Sequence, residues 1–193
     1  LSNMSKGHFY SQQVDGMVNS SESLLQAYKV AWALEKGDAK GKAKLTKVLA
    51  EVSPFEARNL GGPEGVLGRM NDTQLRAWGG GLDARAAKLA TYEKFRSLEK
   101  ERRMLVETGG KRIIEVSRDR RWGSGCSISE LQKTDYGRNG QMRGSNLQGK
   151  TLEWARYGLQ QMAEDRRAEF DMFDKWAISG GGVRNGAAVW YGP

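Results

Sequence analysis

Two residue types that often carry catalysis are almost missing from this chain of 193 residues, which has one cysteine, Cys126, and one histidine, His8. A single cysteine excludes an intramolecular disulfide. A single histidine excludes a histidine-rich metal site and argues against a Ser-His-Asp triad. We therefore expect acid–base and nucleophilic chemistry to rest on carboxylates and lysines, with Cys126 as a small buried residue.

Long hydrophobic runs are also missing. No apolar stretch approaches the roughly 20 residues that a membrane-spanning helix needs, and no signal-peptide pattern opens the sequence. The length suits one compact domain, for which a hydrophobic fraction of 38% supplies a sufficient core. We predict a soluble, intracellular protein, cytoplasmic or nuclear, with one domain over residues 1–193 and no membrane partner. Nothing in the sequence indicates an oligomeric state.

Acidic residues are outnumbered, which gives a net charge of +8 and a sequence pI near 9.6. The excess is concentrated in residues 94–121, which hold ten Lys/Arg and five acids. Such a stretch favours a polyanionic partner, and we expect nucleic acid, DNA or RNA. Taken alone, a basic run is more often a solvated helix face in which Lys and Glu alternate for solubility.

Residues 144–151 read GSNLQGKT and match the P-loop pattern G-x-x-x-x-G-K-[ST] at every fixed position. A P-loop follows a buried strand, and its enzyme needs a second strand that ends in an acid to hold Mg²⁺. The preceding residues, ELQKTDYGRNGQMR, are polar and contain no run of β-branched residues. We therefore predict that the match is coincidental and that the protein is not an ATPase.

Hydrophobic spacing of three to four residues predicts a mainly helical α+β domain with a small amount of β-sheet. Ser53-Pro54 suits the start of a short helix, and Gly61-Gly62 suits its end. The predicted helices are about 16 residues ending at Gly37, then 38–52, 54–60, 72–78, 83–107 with a possible break near Leu98, and 147–176. The predicted strand is KRIIEVS at 111–117, and the glycine-rich tail from residue 178 is predicted to be a loop with one edge strand.

Several segments together resemble the NADAR family, also called YbiA-like. They are LSNM at 1–4, DG at 15–16, SE…QAYK at 21–29, SPFEARNLG at 53–61, KF at 94–95, TGGKRIIEVSRDRRWGSG at 108–125 and GSNLQGK…R ending at Arg156. Their order and spacing match the family over about residues 1–160, and residues 161–193 follow as a C-terminal helix and a glycine-rich tail. Gly62 stands where the family often has arginine, and Ala86-Ala87 stands where it has Val-Met.

The resemblance implies an N-glycosidase of the ADP-ribosyl glycohydrolase type, a hydrolase that removes ADP-ribose from ADP-ribosylated guanine in nucleic acid. Two alternatives stay open: cleavage of an aminopyrimidine ribose phosphate of riboflavin biosynthesis, or a non-catalytic ADP-ribose-binding or nucleotide-binding module. No cofactor, metal or redox group, is implied. GSNLQGK resembles the family's G-x-N-x-x-G segment, which opens the last conserved helix beside a nucleotide-ribose pocket.

Glu22 and Lys29 are two of the three candidate catalytic residues, placed in a site by the resemblance. Glu22 lies three residues after Asn19, the spacing of a helix capping box, which is a structural reason for its presence. Lys29 lies two turns further along the same helix face. Its apolar neighbours favour a partly desolvated amine with a lowered pKa, which would act as a nucleophile and form a Schiff base with the ring-opened sugar.

Asp119 is the third candidate catalytic residue, because cleavage of an N-glycosidic bond develops positive charge at the anomeric carbon. The structural alternative is a surface ion pair with Arg120 or Arg121, which would contribute little. In the frame D-x-x-W-G-x-G, glycines allow a close approach of the backbone and Trp122 can stack on a ring, so we favour the functional interpretation.

The candidate substrate-binding residues also come from the resemblance. Asn146 is expected to cap the last helix, whose N-terminal N–H groups and dipole suit a diphosphate. Trp78 serves equally well as a core residue, and at the chain end the structural alternative for Ser2 and Asn3 is disorder. The full set is Ser2, Asn3, Trp78, Trp122, Gly123, Gly125 and Asn146, and no metal ligand is predicted.

Overall fold

The computed structural model describes residues 6–11, 14–33, 39–50, 53–133, 142–162, 182–184 and 187–189. Its main elements are helices and two short hairpins, so the predicted mainly helical α+β class is confirmed. The helices are α1 Ser21–Ala33, α2 Ala39–Ala50, α3 Pro54–Leu60, α4 Asp72–Ala77, α5 Asp83–Ser97, α6 Glu99–Glu107, α7 Ile128–Lys133 and α8 Leu147–Met162. The strands are β1 Phe9–Ser11, β2 Gly16–Val18, β3 Gly182–Arg184 and β4 Ala187–Val189.

Helix ends follow the local signals in the sequence. Ser53 caps α3 by accepting the N–H of Glu56, and Gly61 follows its last residue, as predicted. The predicted break at Leu98 is also confirmed, since Leu98 is extended between α5 and α6. The segment Trp78–Leu82 joins α4 to α5 through a kink at Gly81, whose φ of 135° is not helical, and the spacing of apolar residues did not predict this kink.

The antiparallel hairpin β1–β2 was not predicted, because its strands have three residues each. Phe9 pairs with Val18, and both side chains are buried. Asp15 in the turn has φ 46°, a left-handed conformation that aspartate tolerates better than most residues. In the tail, β3 and β4 form a second antiparallel hairpin, where a single edge strand was expected.

The predicted strand at 111–117 is wrong. The segment has no regular secondary structure, and several of its backbone groups bond to side chains and not to a neighbouring strand. The N–H of Ile113 donates to Glu153, and the amide of Asn146 bridges the carbonyl of Ile113 and the N–H of Glu115. β-branched composition indicates a fit to a packed, extended surface, and it does not decide which groups satisfy the backbone.

Helix α1 lies at the centre of the fold and packs against α2, α3 and α5, while α5 also packs against α8. Residues Ser21 to Ala31 of α1 are all buried, including the polar and charged ones. A second core cluster around Phe95, Leu105 and Leu152 joins α5, α6 and α8. Within the described residues, no helix is long and apolar enough to cross a bilayer. The buried charges of α1 need polar partners.

Candidate active site

A cavity of about 570 Å³ opens beside α1, a size typical of small-ligand sites. Helix α1 forms one wall with Glu22, Gln26 and Lys29, and α3 with the turn after it adds Arg58. A second wall comes from residues of the segment 115–122. Trp78, Gly79 and Asp83 line the cavity from the kinked segment 78–82 and the start of α5. The cavity thus brings together the three candidate catalytic residues and both candidate tryptophans.

The expected capping box at α1 is replaced by a different cap. Ser20 accepts the N–H of Ser23 at 3.0 Å, so Ser20 is the N-cap and Glu22 lies at the second helical position. The prediction that Asn19 and Glu22 form a box was therefore wrong by one residue. Glu22 instead accepts a hydrogen bond from Gln26 Nε2 at 2.7 Å.

Burial acts in opposite directions on Glu22 and Lys29, which are 8% and 7% exposed. Desolvation raises the pKa of Glu22, and the hydrogen bond from Gln26 with the charges of Lys29 and Arg58 opposes this rise. Desolvation also lowers the pKa of Lys29 from its ordinary 10.5 to about 8, with Glu22 opposing the fall and Arg58 adding to it. The pKa values of both groups are thus shifted toward neutral pH, where proton exchange is effective.

The amine of Lys29 is held from two sides. Its Nζ donates to the carbonyl oxygen of Gly61 at 3.0 Å, and it lies 5.8 Å from the centre of the Trp78 ring. Trp78 is 6% exposed, belongs to the core cluster around α1 and also lines the cavity. Trp78 is therefore both a core residue and a cavity-lining residue, so the two roles considered for it do not exclude each other.

The wall formed by residues 115–122 is shaped by its own backbone. Asp119 Oδ1 accepts the N–H groups of Arg121 and Trp122, both at 2.8 Å, which closes a tight turn. The side chain of Arg121 pairs with Asp83 at 2.7 Å and donates to the carbonyl of Gly79. The structural alternative was an ion pair of Asp119 with Arg120 or Arg121. Neither pair is among the ion pairs of the described residues, and Arg121 pairs with Asp83 instead.

The GSNLQGKT segment is docked on that wall through its backbone. The N–H groups of Gly144, Ser145, Asn146, Leu147 and Gln148 donate to the carbonyls of Ser124, Arg120, Gly123, Arg121 and Trp122. The expectation that the start of α8 offers free N–H groups to a diphosphate is therefore wrong for Asn146, Leu147 and Gln148. The same bonds occupy the N–H groups that a P-loop would turn toward phosphate.

Asn146, Gly123 and Gly125 lie outside the cavity lining and build its wall. The side chain of Asn146, 1% exposed, bridges Ile113 and Glu115 and does not cap α8 as expected. A Cβ at Gly123 would lie 2.0 Å from Ser117 Oγ. Gly125 has φ 70°, and a Cβ there would lie 2.9 Å from the nitrogen of Gly144. Close contact between the two segments explains both glycines.

The sequence-family model of the NADAR domain matches residues 1–160 of this chain. The chain belongs to the NADAR family. This is a family of N-glycosidases, so membership supports an enzyme that cleaves the bond between an anomeric carbon and nitrogen. The NMR structure of the E. coli protein YbiA is similar, with a TM-score of 0.59 and 19% identity over 86% of this chain and 80% of that chain. At this identity the likeness shows the fold alone. No curated protein matches.

Family motifs carry cavity residues that the sequence analysis did not single out. Gln26 lies in QAYK four residues after Glu22, so helical spacing could have placed it on the same face. Arg58 and Arg121 lie in SPFEARNLG and in SRDRRWGSG. Asp83 had no signal, because its partner Arg121 is 38 residues away. Ser2 and Asn3 lie outside the described residues.

Proposed function

We propose that this NADAR domain hydrolyses the N-glycosidic bond that joins ADP-ribose to guanine in nucleic acid. The observation that carries the proposal is the pairing of a buried amine with a buried carboxyl in one cavity. Lys29 has a pKa of about 8, and burial raises the pKa of Glu22 beside it. Both groups line the same cavity, and the charge of each shifts the pKa of the other. In the proposed mechanism they share a single proton, which passes from the amine to the carboxyl during the reaction.

Lys29 is the nucleophile in this mechanism. With a pKa of about 8, about a tenth of its amine is neutral at pH 7. The ribose ring opens as the C1′–O4′ bond breaks and O4′ takes a proton, which leaves C1′ doubly bonded to the base nitrogen. The amine of Lys29 adds to C1′, and the base leaves with a proton on its nitrogen. Water then hydrolyses the lysine imine and releases ADP-ribose.

Glu22 moves the proton in this scheme. It accepts the proton that the Lys29 ammonium must lose before attack, and it delivers a proton to O4′ or to the departing nitrogen. Its raised pKa suits this exchange, since a carboxyl with an ordinary pKa would hold almost no proton at pH 7. Gln26 fixes the carboxyl by donating to Oε1.

The remaining polar and aromatic groups of the cavity recognise the substrate. Asp119 lines the same cavity as Glu22 and Lys29 and stabilises positive charge that develops at C1′. Arg58 lines the cavity, and none of the ion pairs among the described residues involves it, so it is available to a phosphate. Trp122, which is half-buried, offers a face on which a base can stack, whereas Trp78 reaches the cavity from the core and lies against the Lys29 amine.

Nucleic acid as the carrier of the base is supported by a basic rim, which we define as Arg112, Arg118 and Arg120. These side chains are exposed, whereas Glu115, Ser117, Asp119 and Arg121 of the same segment line the cavity. The rim therefore lies next to the cavity and is suited to phosphates that flank an inserted base. The aminopyrimidine ribose phosphate has no flanking phosphates for these arginines.

The test compares three substrates: an oligonucleotide with ADP-ribosylated guanine, the ADP-ribosylated nucleoside, and the aminopyrimidine ribose phosphate. We expect ADP-ribose to be released from the first two, with kcat/KM for the oligonucleotide falling as salt rises. Turnover of the aminopyrimidine compound alone would replace this proposal with the riboflavin-pathway alternative. Binding of ADP-ribose with no turnover of any substrate would favour a binding module.

A variant with all three rim arginines changed to glutamine isolates the contribution of the rim. Its kcat/KM should fall for the oligonucleotide but not for the nucleoside, and its log–log salt slope should drop by about 2–3 for three lost phosphate contacts. The control is Lys40→Gln with Lys47→Gln, two exposed charges on α2, of which no described residue lines the cavity. An equal loss for both substrates would contradict a role of the rim in binding nucleic acid.

A further inference from the structure

We propose that Gln26 and Gly61 act together as a positioning device for the two groups that exchange the proton, Gln26 holding Glu22 and Gly61 holding Lys29. Neither residue needs to touch the substrate. The inference rests on the proposed function for its kinetic consequences, but the contacts that define it can be tested without turnover.

Gln26 fixes Glu22 through a helical i, i+4 contact. Its Nε2 donates to Glu22 Oε1 at 2.7 Å, and its side chain is 3% exposed. A carboxyl group with one oxygen fixed in this way has few rotamers left, so its second oxygen keeps one direction in the cavity. The same bond opposes the effect of burial on the pKa of Glu22.

Gly61 leaves the space that the Gln26 amide occupies. A Cβ at position 61 would lie 1.8 Å from Gln26 Oε1 and 2.7 Å from its Cδ. The backbone of Gly61, φ −86° and ψ −6°, lies in a region that residues other than glycine also adopt. Conformation therefore does not require glycine here, and the requirement comes from the space taken by Gln26.

Gly61 also fixes Lys29. Its carbonyl accepts from Lys29 Nζ at 3.0 Å, and its own N–H donates to Ala57, which anchors it to the end of α3. One glycine thus contacts the amide that orients the carboxyl and the amine that attacks. A shift of Gly61 would move both groups relative to each other.

Stability alone does not explain glutamine at position 26. Its Oε1 is buried and has no hydrogen-bond partner among the described residues, which costs folding free energy. An apolar side chain of similar length would fill the same space without that cost. The arrangement is explained if the amide is needed for the bond to Glu22.

The first experiment is an NMR titration of the protein with ¹³C-labelled glutamate side chains, with the Glu22 signal assigned from Glu22→Gln. In Gln26→Met, which keeps the length of the side chain but lacks the donor, the Glu22 carboxyl should titrate at higher pH than in wild type. An unchanged titration in a folded variant would overturn the proposal. This readout also decides the role of Gln26 if the proposed glycosidase activity is absent.

The second experiment measures kinetics. Gln26→Met should lower kcat by about tenfold with little change in KM, and should move the acidic limb of the pH profile upward.

Gly61→Ala, which leaves the chemistry of Gln26 intact, should lower kcat by about 10²-fold, because the added Cβ displaces the Gln26 amide. Should Gln26→Met fail to fold, Gly61→Ala still decides the question. The control is Gly80→Ala, where a Cβ meets nothing within 4 Å. Equal activity of the alanine variants at positions 61 and 80 would refute the device.

Discussion

On one side of the cavity, Glu22 and Lys29 project from a helix that is buried from Ser21 to Ala31, and burial moves the pKa of both toward neutral pH. On the other side, Asp119 and Arg121 are exposed side chains on a loop, and their neighbours are backbone groups and the carboxylate of Asp83. The buried wall changes the pKa of Glu22 and Lys29, whereas the exposed wall fixes the positions of Asp119 and Arg121.

This difference suggests a division of roles between the two walls. A proton-exchanging pair needs a desolvated setting, which the central helix provides at this cavity. Groups that meet a large anionic substrate need solvent access and a fixed direction, which a backbone-bonded loop supplies. Substitutions on the α1 wall should therefore change rates and pH profiles, and those on the loop wall should act mainly through charge and binding.

The largest effect is expected at Lys29. Lys29→Met should lower kcat by about 10⁴-fold or more, the scale of losing a covalent nucleophile. Borohydride added during turnover should trap wild-type protein as a permanent adduct with ADP-ribose, detected by mass spectrometry. Lys29→Arg keeps the charge and should keep binding, but it cannot form the imine and should give no adduct.

Stability should respond to Lys29→Met in the opposite direction from activity. Because burial lowers the folded-state pKa of Lys29 to about 8 from 10.5, the wild-type protein gains stability as pH rises between these values. Lys29→Met should lack this gain and should melt at an equal or higher temperature at pH 7. Full activity of Lys29→Arg without an adduct would reduce Lys29 to a phosphate contact.

The two carboxylates provide the next comparison. Glu22→Gln removes the proton carrier and should lower kcat by about 10²- to 10⁴-fold. Asp119→Asn keeps the oxygen that accepts the N–H groups of Arg121 and Trp122, so the turn should persist and the loss, about 10²-fold, should report charge alone.

Asp119→Ala separates charge from shape, because it removes both. It should be more damaging than Asp119→Asn and should lower the melting temperature, measured by circular dichroism, as the turn loses two hydrogen bonds. If Asp119→Asn proved more damaging than Glu22→Gln, the division between the two walls would be reversed. Asp119 would then direct water onto an oxocarbenium ion without a lysine adduct.

Local signals predicted much of the buried wall. Periodicity located α1, and Lys29 is placed two turns after Glu22 by that helix alone. Ser53 and Gly61 marked both ends of α3, which carries Arg58 into the cavity. Each of these predictions depends on contacts within one helix or at its ends, and such contacts are decided by nearby residues.

The loop wall was largely unpredictable, because its contacts are distant in sequence. Arg121 pairs with Asp83 across 38 positions, and Asn146 bonds to Ile113 across 33. No periodic pattern reports which loops meet. The match of GSNLQGKT to a P-loop shows the same limit, since its N–H groups are occupied by a loop about 24 residues earlier in the chain.

A smaller effect is expected from Arg58, which is available to a phosphate of the substrate and also shifts the pKa of Glu22 and Lys29. Arg58→Gln should raise KM for ADP-ribosylated substrates by about tenfold through loss of a phosphate contact. The positive charge of Arg58 also lowers the pKa of both Glu22 and Lys29. Wild-type kcat/KM should be bell-shaped with its alkaline limb near pH 8, and Arg58→Gln should move both limbs upward. Movement of neither limb would contradict the electrostatic role of Arg58.

The smallest effect is expected at Lys150, the residue that a P-loop would need most. Its side chain is exposed, and the N–H groups of residues 144–148 already bond to the neighbouring loop, so no phosphate cradle exists there. Lys150→Ala should leave glycosidase kcat/KM within about twofold of wild type and stability within about 0.5 kcal/mol. Asn146→Ala in the same segment should instead cost roughly 1–3 kcal/mol, because it leaves the buried groups of Ile113 and Glu115 unpaired. Wild-type protein should release no phosphate from ATP with Mg²⁺, and release that Lys150→Ala abolishes would restore the P-loop interpretation.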